Sequence, residues 1–353
     1  MNYPQAASYE AKKGEVKKAL LLFSGGLDSS VMVRWIREEY GCKVATLTVN
    51  LGQIRTAEEV ERIRKKALHL GAVDAVVHDA VEEFAYGYVG KSIMANGRYR
   101  GKYYLSTPLG RPLLARIAAE LAPRLGCDCV AHGCTGKGND QVRLDGGILA
   151  CNPSLKIMAP VRTWNMGRSE ELRYAEEHGI EVPVTRDSLY SHDENLWGMT
   201  SEGAEIESPE KAPDFDRVLT WCRTPEKAAS TAETLTLGFQ KGIPVSLNGA
   251  ELRLPELVGR LNKIAGKCGV GVGVVIEDRI LGMKSRGVYE APAAEVIISA
   301  HEDLEKLVLT HDQLQFKAGI DRQWAWMCYH ARWFDPLMDD LSAYLASVNR
   351  NIN

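Results

Sequence analysis

The sequence predicts an α/β fold: a doubly wound parallel-sheet nucleotide-binding domain followed by an α+β domain. Three observations carry that expectation. The apolar run at 18–22 enters the glycine turn Ser24-Gly25-Gly26 and then a helix. Strand and helix patterns alternate from there to residue 131, the signature of parallel strands joined by crossover helices. The alternation weakens at 165–168, and hairpins and helices follow without it. At 353 residues, 45% of them hydrophobic, the chain is long enough for two domains with ample cores.

Residues 1–17 read as a polar N-terminal extension. Residues 18–22 form the first strand. In the helix that follows, Val31 with Trp35, and Met32 with Ile36 and Tyr40, recur every four residues, which lays one face on a sheet, and Gly41 ends it. Residues 44–49 are the second strand, closed by the Asn50-Leu51-Gly52-Gln53 turn. A charged helix over 57–70 leads to a third strand at 75–78. Residues 81–97 are predicted helical, 98–108 a polar loop holding Tyr99, Tyr103 and Tyr104, and 108–121 a buried helix before a strand at 129–131. The nucleotide-binding domain is placed at 18–167 and the α+β domain at 168–353. In the latter the pattern gives a helix at 169–179, the stretch Pro183-Val184-Thr185, a polar segment at 191–198 and an acidic, proline-dotted surface excursion over 201–233. A hairpin turning at Lys241-Gly242, a helix at 254–266, strand-like segments at 272–284 and 294–299, and helices at 301–309, 311–332 and 335–349 complete the chain.

The turn after the first strand is the main chemical stretch. A helix start leaves backbone N–H groups without partners and carries a partial positive charge, so it suits an anion, above all a phosphate. Gly25 and Gly26 have no Cβ to hold a phosphate away, and the hydroxyls of Ser24, Ser29 and Ser30 add donors. Each hydrogen bond to a charged oxygen contributes about 1.5–3 kcal/mol, so the several donors here can hold a nucleotide's pyrophosphate without a lysine. The Gly-Lys-Ser/Thr ending of a Walker A loop is absent, and Asp28 stands where a cation is expected. Asp28 is suited to holding Mg²⁺ against the phosphates. A second loop, residues 132–143, combines Gly133, Gly136 and Gly138 with Asn139, Asp140 and Arg143 at another strand edge of the same sheet, bringing backbone N–H groups and charge into one cleft.

Composition excludes several classes. The net charge is −3, and basic residues are interleaved with acidic ones beyond Lys12-Lys13 and Lys17-Lys18, so neither a nucleic-acid coat nor a membrane surface is an expected partner. No stretch has the apolar core of a signal peptide or the length of a membrane span, and the expected location is the cytoplasm. The eight cysteines are scattered. Cys127 and Cys129 stand at strand spacing and read as packed thiols, because no second Cys or His pair has matching metal-ligand spacing.

Taken together, SGGLDSS at 24–30, the turn at 50–53, HGCTGKGNDQVR at 132–143, SHDENLWG at 191–198 and GMKSRGVYEAP at 282–292 resemble the argininosuccinate synthase family of the ATP-pyrophosphatase superfamily. The similarity runs in unbroken order over 18–336. It implies an adenine nucleotide alpha hydrolase-like first domain and a synthetase and multimerisation domain after it. It also implies an AMP-forming carbon–nitrogen ligase of arginine biosynthesis, joining citrulline to aspartate with ATP and Mg²⁺ and working as a homo-oligomer, a tetramer in the family. ATP contacts are implied at Leu22, Phe23, Ser24, Gly25, Gly26, Leu27, Asp28, Ser29, Ser30 and Val49. Further ATP contacts fall on Ala131, His132, Gly133, Cys134, Thr135, Gly136, Lys137, Gly138 and Asn139. Aspartate contacts fall on Thr135, Asn139 and Asp140, and contacts to citrulline or a ureido analogue on Tyr103, Asn139, Arg143, Ser191, Thr200, Glu277 and Tyr289. Asp28, Asn139, Asp140 and Arg143 are the expected catalytic set.

The chain departs from the family at defined positions. Pro108 replaces a pocket serine and loses both a hydroxyl and an N–H; Thr200 replaces a second serine and keeps its hydroxyl. Asp145 replaces a glutamate, and Val272 and Val274 replace an arginine and an aspartate. The family's long C-terminal arm, which helps bind subunits together, is expected to be missing after Asn353. The changes gather at the citrulline end, so a ureido relative of citrulline in a specialised pathway stands as the alternative acceptor. Two other classes use the same loop: a tRNA-thiolase type enzyme, which needs a reactive cysteine pair and a basic surface, and a catalytically silent nucleotide sensor. His132 is open to a general-base or a structural reading, and Cys134 to a nucleophile or a packing residue.

Overall fold

The computed structural model describes residues 9–181 and 189–353. Residues 1–8 of the extension and the stretch Pro183-Val184-Thr185 lie outside the described residues. The described chain forms two compact units. One takes in residues 9–50, 54–79 and 113–181, the other 51–53, 80–112 and 189–353.

The first unit is built on five parallel strands, β1 (Lys18–Leu22), β2 (Lys43–Asn50), β3 (Asp74–Asp79), β4 (Cys129–Ala131) and β5 (Lys156–Met158), in the order β3-β2-β1-β4-β5. Ala19, Leu20 and Leu21 of β1 are fully enclosed, as a parallel strand covered on both faces requires. The helix Leu27–Tyr40 buries Val31, Met32, Val33 and Ile36. It ends at Gly41, which takes a left-handed conformation (φ 65°) and donates its N–H to Arg37 O at 3.2 Å. The helix Ala57–His69 starts from a capping box of Thr56 and Glu59. The chain steps outward from β1 to β2 and β3, then returns to β4 and β5 on the other side of β1. That reversal, between β1 and β4, is a topological switch point. From residue 9 the extension lies along β5, where Tyr9 O accepts from Ile157 N at 2.9 Å and Ala11 N donates to Ile157 O at 2.8 Å.

Two elements of this unit were not anticipated. β5 is three residues long, too short for a sequence pattern. The helix Asn139–Cys151 takes in the end of the stretch read as a loop; its polar first turn and paired glycines at 146–147 mask the periodicity.

The second unit holds an antiparallel sheet of β6 (Ser191–Asn195), β7 (Gly198–Glu202), β11 (Val272–Asp278) and β12 (Lys284–Glu290), ordered β11-β12-β7-β6. A smaller sheet is formed by β8 (Leu237–Gln240), β9 (Ile243–Leu247) and β10 (Ala250–Glu251). The expected hairpin at Lys241-Gly242 is present, with φ positive at both residues (52° and 78°), as a two-residue turn of the primed type requires. The polar segment at 191–198 is the β6–β7 hairpin, its turn closed by Asn195 Oδ1 accepting from Trp197 N at 2.8 Å.

Four expectations differ from the structure. Residues 294–299 are not a strand but part of the helix Pro292–Val308: their β-branched composition is outweighed by Pro292 in the first turn and by burial of Ala293, Ala294, Ile297, Ile298 and His301 along one helical face. The helix expected over 81–97 is interrupted by a π-helical turn at Ala85–Val89, between Val81–Phe84 and Gly90–Met94. The loop at 98–108 is polar in composition only, because Tyr99, Tyr103 and Tyr104 are all buried. The excursion over 201–233 likewise buries Ile206, Val218 and Cys222, and Glu290 anchors it by accepting from the N–H groups of Thr220, Trp221 and Cys222. Among the described residues no helix is long and apolar enough to cross a membrane.

Candidate functional site

In the first unit Leu21 of β1 lies opposite Ala131 of β4, so the loops leaving these two strands open side by side at the switch point. The two glycine-rich stretches singled out in the sequence are thereby brought together. Each runs into a helix whose cap is a glycine with no side-chain capping bond, Gly26 for Leu27–Tyr40 and Gly138 for Asn139–Cys151. Thr56 and Thr310 cap their own helices in the usual way. The two uncapped starts leave backbone donors for an anion.

Gly25 has φ +79°, a backbone conformation that L side chains rarely adopt, so the tight turn depends on this glycine. Ser29 Oγ organises the turn, accepting from Gly25 N at 3.1 Å, lying 3.1 Å from Ser24 Oγ and donating to Gly26 O at 3.3 Å. Ser30 Oγ is buried with no hydrogen-bond partner among the described residues. An orphaned hydroxyl at an uncapped helix start fits a nucleotide's phosphates. Leu22 ends β1, while Phe23, Leu27, Val49 and Ala131 are buried, so main-chain atoms are what these four can offer a ligand.

Asp28 is exposed in the first helical turn. Beside it stands Glu171 of the helix Arg168–Glu177, which sequence reasoning missed. Burial, and then the neighbouring Asp28, push the Glu171 carboxyl up to about 8. Lys66 was also missed: its Nζ donates to Gly25 O at 2.6 Å. The spacing of basic residues on its helix was the available signal; nothing in the sequence signals Glu171. Among the described residues no three His, Cys, Asp or Glu side chains gather as a metal-ligand set.

In the second loop, Cys134 N donates to His132 Nδ1 at 3.2 Å, which leaves Nε2–H to donate to Asp145 Oδ1 at 2.7 Å. Both ring nitrogens are thus engaged, and His132 is buried. Burial alone raises Asp145, but His132 and Arg162, whose guanidinium lies 2.9 Å from Oδ2, hold it below the usual carboxylate range. Gln141 Nε2 folds back onto Gly136 O at 2.5 Å. Thr135, Gly136 and Lys137 are exposed, whereas Gly133, Cys134, Gly138, Asn139 and Asp140 are half-buried. Buried Arg143 donates to Asp140 Oδ1 at 2.8 Å. Cys127 and Cys129 are packed thiols, burial pushing the first up to about 11 and the second higher still.

Of the residues expected at the acceptor, Ser191, Thr200, Glu277 and Tyr289 lie in the second unit on one face of its four-stranded sheet, whereas Asn139 and Arg143 belong to the first unit. Tyr289 of β12 is opposite Gly273 of β11 and Thr200 of β7, and Thr200 is opposite Asp193 of β6. Glu277 and Ser191 are displaced from that row by even numbers of residues, so they share its face. Tyr103 stacks on Tyr289 with ring centroids 4.0 Å apart. Glu277 and Thr200 are buried, Ser191 exposed. Behind Thr200 lies a set not foreseen: its Oγ1 is 3.1 Å from Thr107 Oγ1, which donates to Asp193 Oδ2 at 2.9 Å, and Arg111 reaches the same oxygen at 2.6 Å.

Val272 and Val274 alternate with Gly273 and so belong to the opposite face of the sheet, where Val274 packs with Val288, Ile206 and Val218. Pro108 sits in the first turn of the helix Ser106–Arg124, where its missing N–H interrupts no intrahelical bond.

The family model for the argininosuccinate synthase N-terminal HUP domain matches residues 18–181, and that for the C-terminal domain matches 190–353. The argininosuccinate synthase of Rubrobacter xylanophilus is 48% identical over 336 residues, 95% of this chain and 81% of that protein. That of Pyrococcus furiosus is 46% identical over 336 residues, 95% and 80%, and that of Symbiobacterium thermophilum 45% over 337, 95% and 83%. A solved 4-thiouridine synthetase–RNA complex with bound ATP is 19% identical with a TM-score of 0.35, covering 46% of this chain and 41% of that one, a likeness too slight to bear on function. With both halves matched and curated relatives this similar over nearly its whole length, the chain belongs to the argininosuccinate synthase family.

Proposed function

We propose that the chain is an AMP-forming ligase that joins citrulline to aspartate. The observation that carries this reading is the juxtaposition, at one switch point, of two glycine loops running into uncapped helices, with Asn139 and Asp140 in the first turn of the second. A ureido carbon is a poor electrophile. In the first step its oxygen attacks the α-phosphorus of ATP and pyrophosphate departs; in the second the aspartate amine attacks the adenylated carbon and AMP leaves with the oxygen.

The Ser24–Ser30 turn receives the pyrophosphate through its backbone donors and hydroxyls. Asp28 would hold Mg²⁺, which supplies positive charge against the phosphates when bound. Thr135 and Asn139 present a hydroxyl and an amide to the carboxylates of aspartate, and Asp140 a carboxylate to its ammonium. Arg143 suits the carboxylate of citrulline, and Glu277 its ammonium or a ureido N–H pair, with Ser191, Thr200, Tyr103 and Tyr289 lining the acceptor. Aligning bound reactants removes roughly 7–11 kcal/mol of barrier, so no nucleophilic side chain is required. The placement of Val272 and Val274 on the opposite face of the sheet favours citrulline itself over an altered acceptor. Exposed large apolar side chains, Leu307, Phe316 and Ile276 among them, support a homo-oligomer, which light scattering checks.

Incubation with ATP, citrulline and ¹⁵N-aspartate should yield labelled argininosuccinate with AMP and pyrophosphate in equal amounts. Release of ADP and inorganic phosphate, or turnover with another ureido compound but not citrulline, would overturn the reading.

A further inference from the structure

The Ser24–Ser30 turn has no lysine of its own, yet a neighbouring helix delivers one to it. On the helix Ala57–His69, Arg62, Lys65, Lys66 and His69 follow the i, i+3, i+4, i+7 spacing of a single stripe. Together with the glycine turn they line a cleft of about 1050 Å³, with Glu181 as its acidic member.

Lys66 is the residue of this stripe that touches the turn, through the 2.6 Å bond from Nζ to Gly25 O. That carbonyl and the N–H of Gly26 belong to one trans peptide and point in opposite directions. Fixing the oxygen therefore fixes the aim of the Gly26 N–H, which among the described residues meets Ser24 Oγ at a long 3.3 Å, a contact that an anionic oxygen can replace. Lys66 is half-buried, and burial pushes its ammonium below the ordinary lysine value while Glu181 opposes the shift only in part. A cation held in this way against a neutral carbonyl gains from a nearby anion.

We propose that Lys66, with Arg62 and Lys65 beside it, is the cationic part of the phosphate site. It binds the pyrophosphate portion of ATP and the pyrophosphate released, and it holds the Gly25–Gly26 peptide in its donating orientation. The inference rests on the ligase reading for its ligand, inorganic pyrophosphate, and adds residues that the glycine motif does not contain.

Titration calorimetry of pyrophosphate and, separately, AMP into the full chain tests it. In Lys66→Met the pyrophosphate Kd should rise at least about tenfold, the loss of one charge-assisted bond, with the AMP Kd unchanged. Lys66→Arg should stay within about threefold of wild type, and the double variant Arg62→Gln/Lys65→Gln should weaken pyrophosphate about three- to tenfold through lost charge alone. A Lys66→Met Kd within twofold of wild type overturns the assignment; should that variant not fold, a double variant within twofold does so. Release of AMP from ATP by wild type separates the two readings. Its absence overturns the ligase, whereas its presence with an unchanged pyrophosphate Kd in Lys66→Met removes only the lysine.

Discussion

Glu171 makes the stability of the fold depend on pH. Its carboxyl titrates near 8 in the folded chain, against an ordinary value of 4.5, because it is buried next to Asp28. Between those values the folded state keeps a proton that the unfolded chain releases, so this residue's contribution to stability falls as pH rises and the loss is complete above the folded value. Glu171→Gln removes the dependence. Relative to wild type, the variant's Tm should climb from pH 5 to pH 9 by on the order of a few °C, and parallel Tm–pH curves would rule this out. A second residue acts by shape. A Cβ on Gly287 would stand 2.5 Å from Tyr289 Oη and 2.7 Å from Cζ, so Gly287→Ala must displace the ring that stacks on Tyr103. Steady-state kinetics should show the citrulline KM raised about tenfold and the ATP KM unchanged, as expected when one substrate's contacts alone are lost. At this scale the glycine motifs were legible, because a phosphate loop is made by local backbone and a few consecutive side chains. Glu171, Asp193 and Lys66 were not, because each meets its partners only after the chain has folded back.

At the scale of elements, the sequence was readable where turn chemistry is local. The alternating strands on either side of Lys241-Gly242 announced a hairpin, with Gly242 suited to the positive φ that such a turn needs, and the strands and helices around the first glycine turn fell where their periodicity placed them. It was unreadable where burial outweighs propensity, as in 294–299, or where a strand has three residues, as in β5. The hairpin also shows how an element is tied to its surroundings. A Cβ on Gly242 would lie 2.2 Å from Asn349 Oδ1, the atom that sits 2.7 Å from buried His301 Nε2. Gly242→Ala therefore strains the turn and breaks that bond together, and should lower stability by about 1–3 kcal/mol. An unchanged urea midpoint and slope would show that the turn adapts at no cost.

At the scale of the whole molecule, the second unit is discontinuous in sequence. The family models divide the chain at 181 and 190, but residues 80–112 pack as part of the later unit. Tyr88 stacks on Trp333 at 4.7 Å and Tyr99 on Tyr329 at 3.7 Å, while Trp197 Nε1 donates to Tyr104 O at 2.9 Å. Asn96 donates to Glu305 at 2.8 Å and to Asp321 at 3.1 Å, and lies 2.8 Å from His301 Nδ1. Those groups surround Lys317, which is 1% exposed and pairs with both carboxylates. Burial already pushes Asp321 up to about 7. A fragment cut to residues 190–353 would lose Asn96 from this buried charge cluster and expose the faces of Trp333, Tyr329 and Tyr289. Leaving buried ionic groups short of partners typically costs 3–5 kcal/mol, and uncovering each large aromatic adds roughly 1.5–3 kcal/mol. Their sum is comparable to the 5–15 kcal/mol by which domains are stable at all. The fragment should therefore show a collapsed amide NMR spectrum and no cooperative melting, and co-expression with 80–112 should restore both. A dispersed spectrum from 190–353 alone would mean that the early segment is an accessory to this unit rather than part of its core.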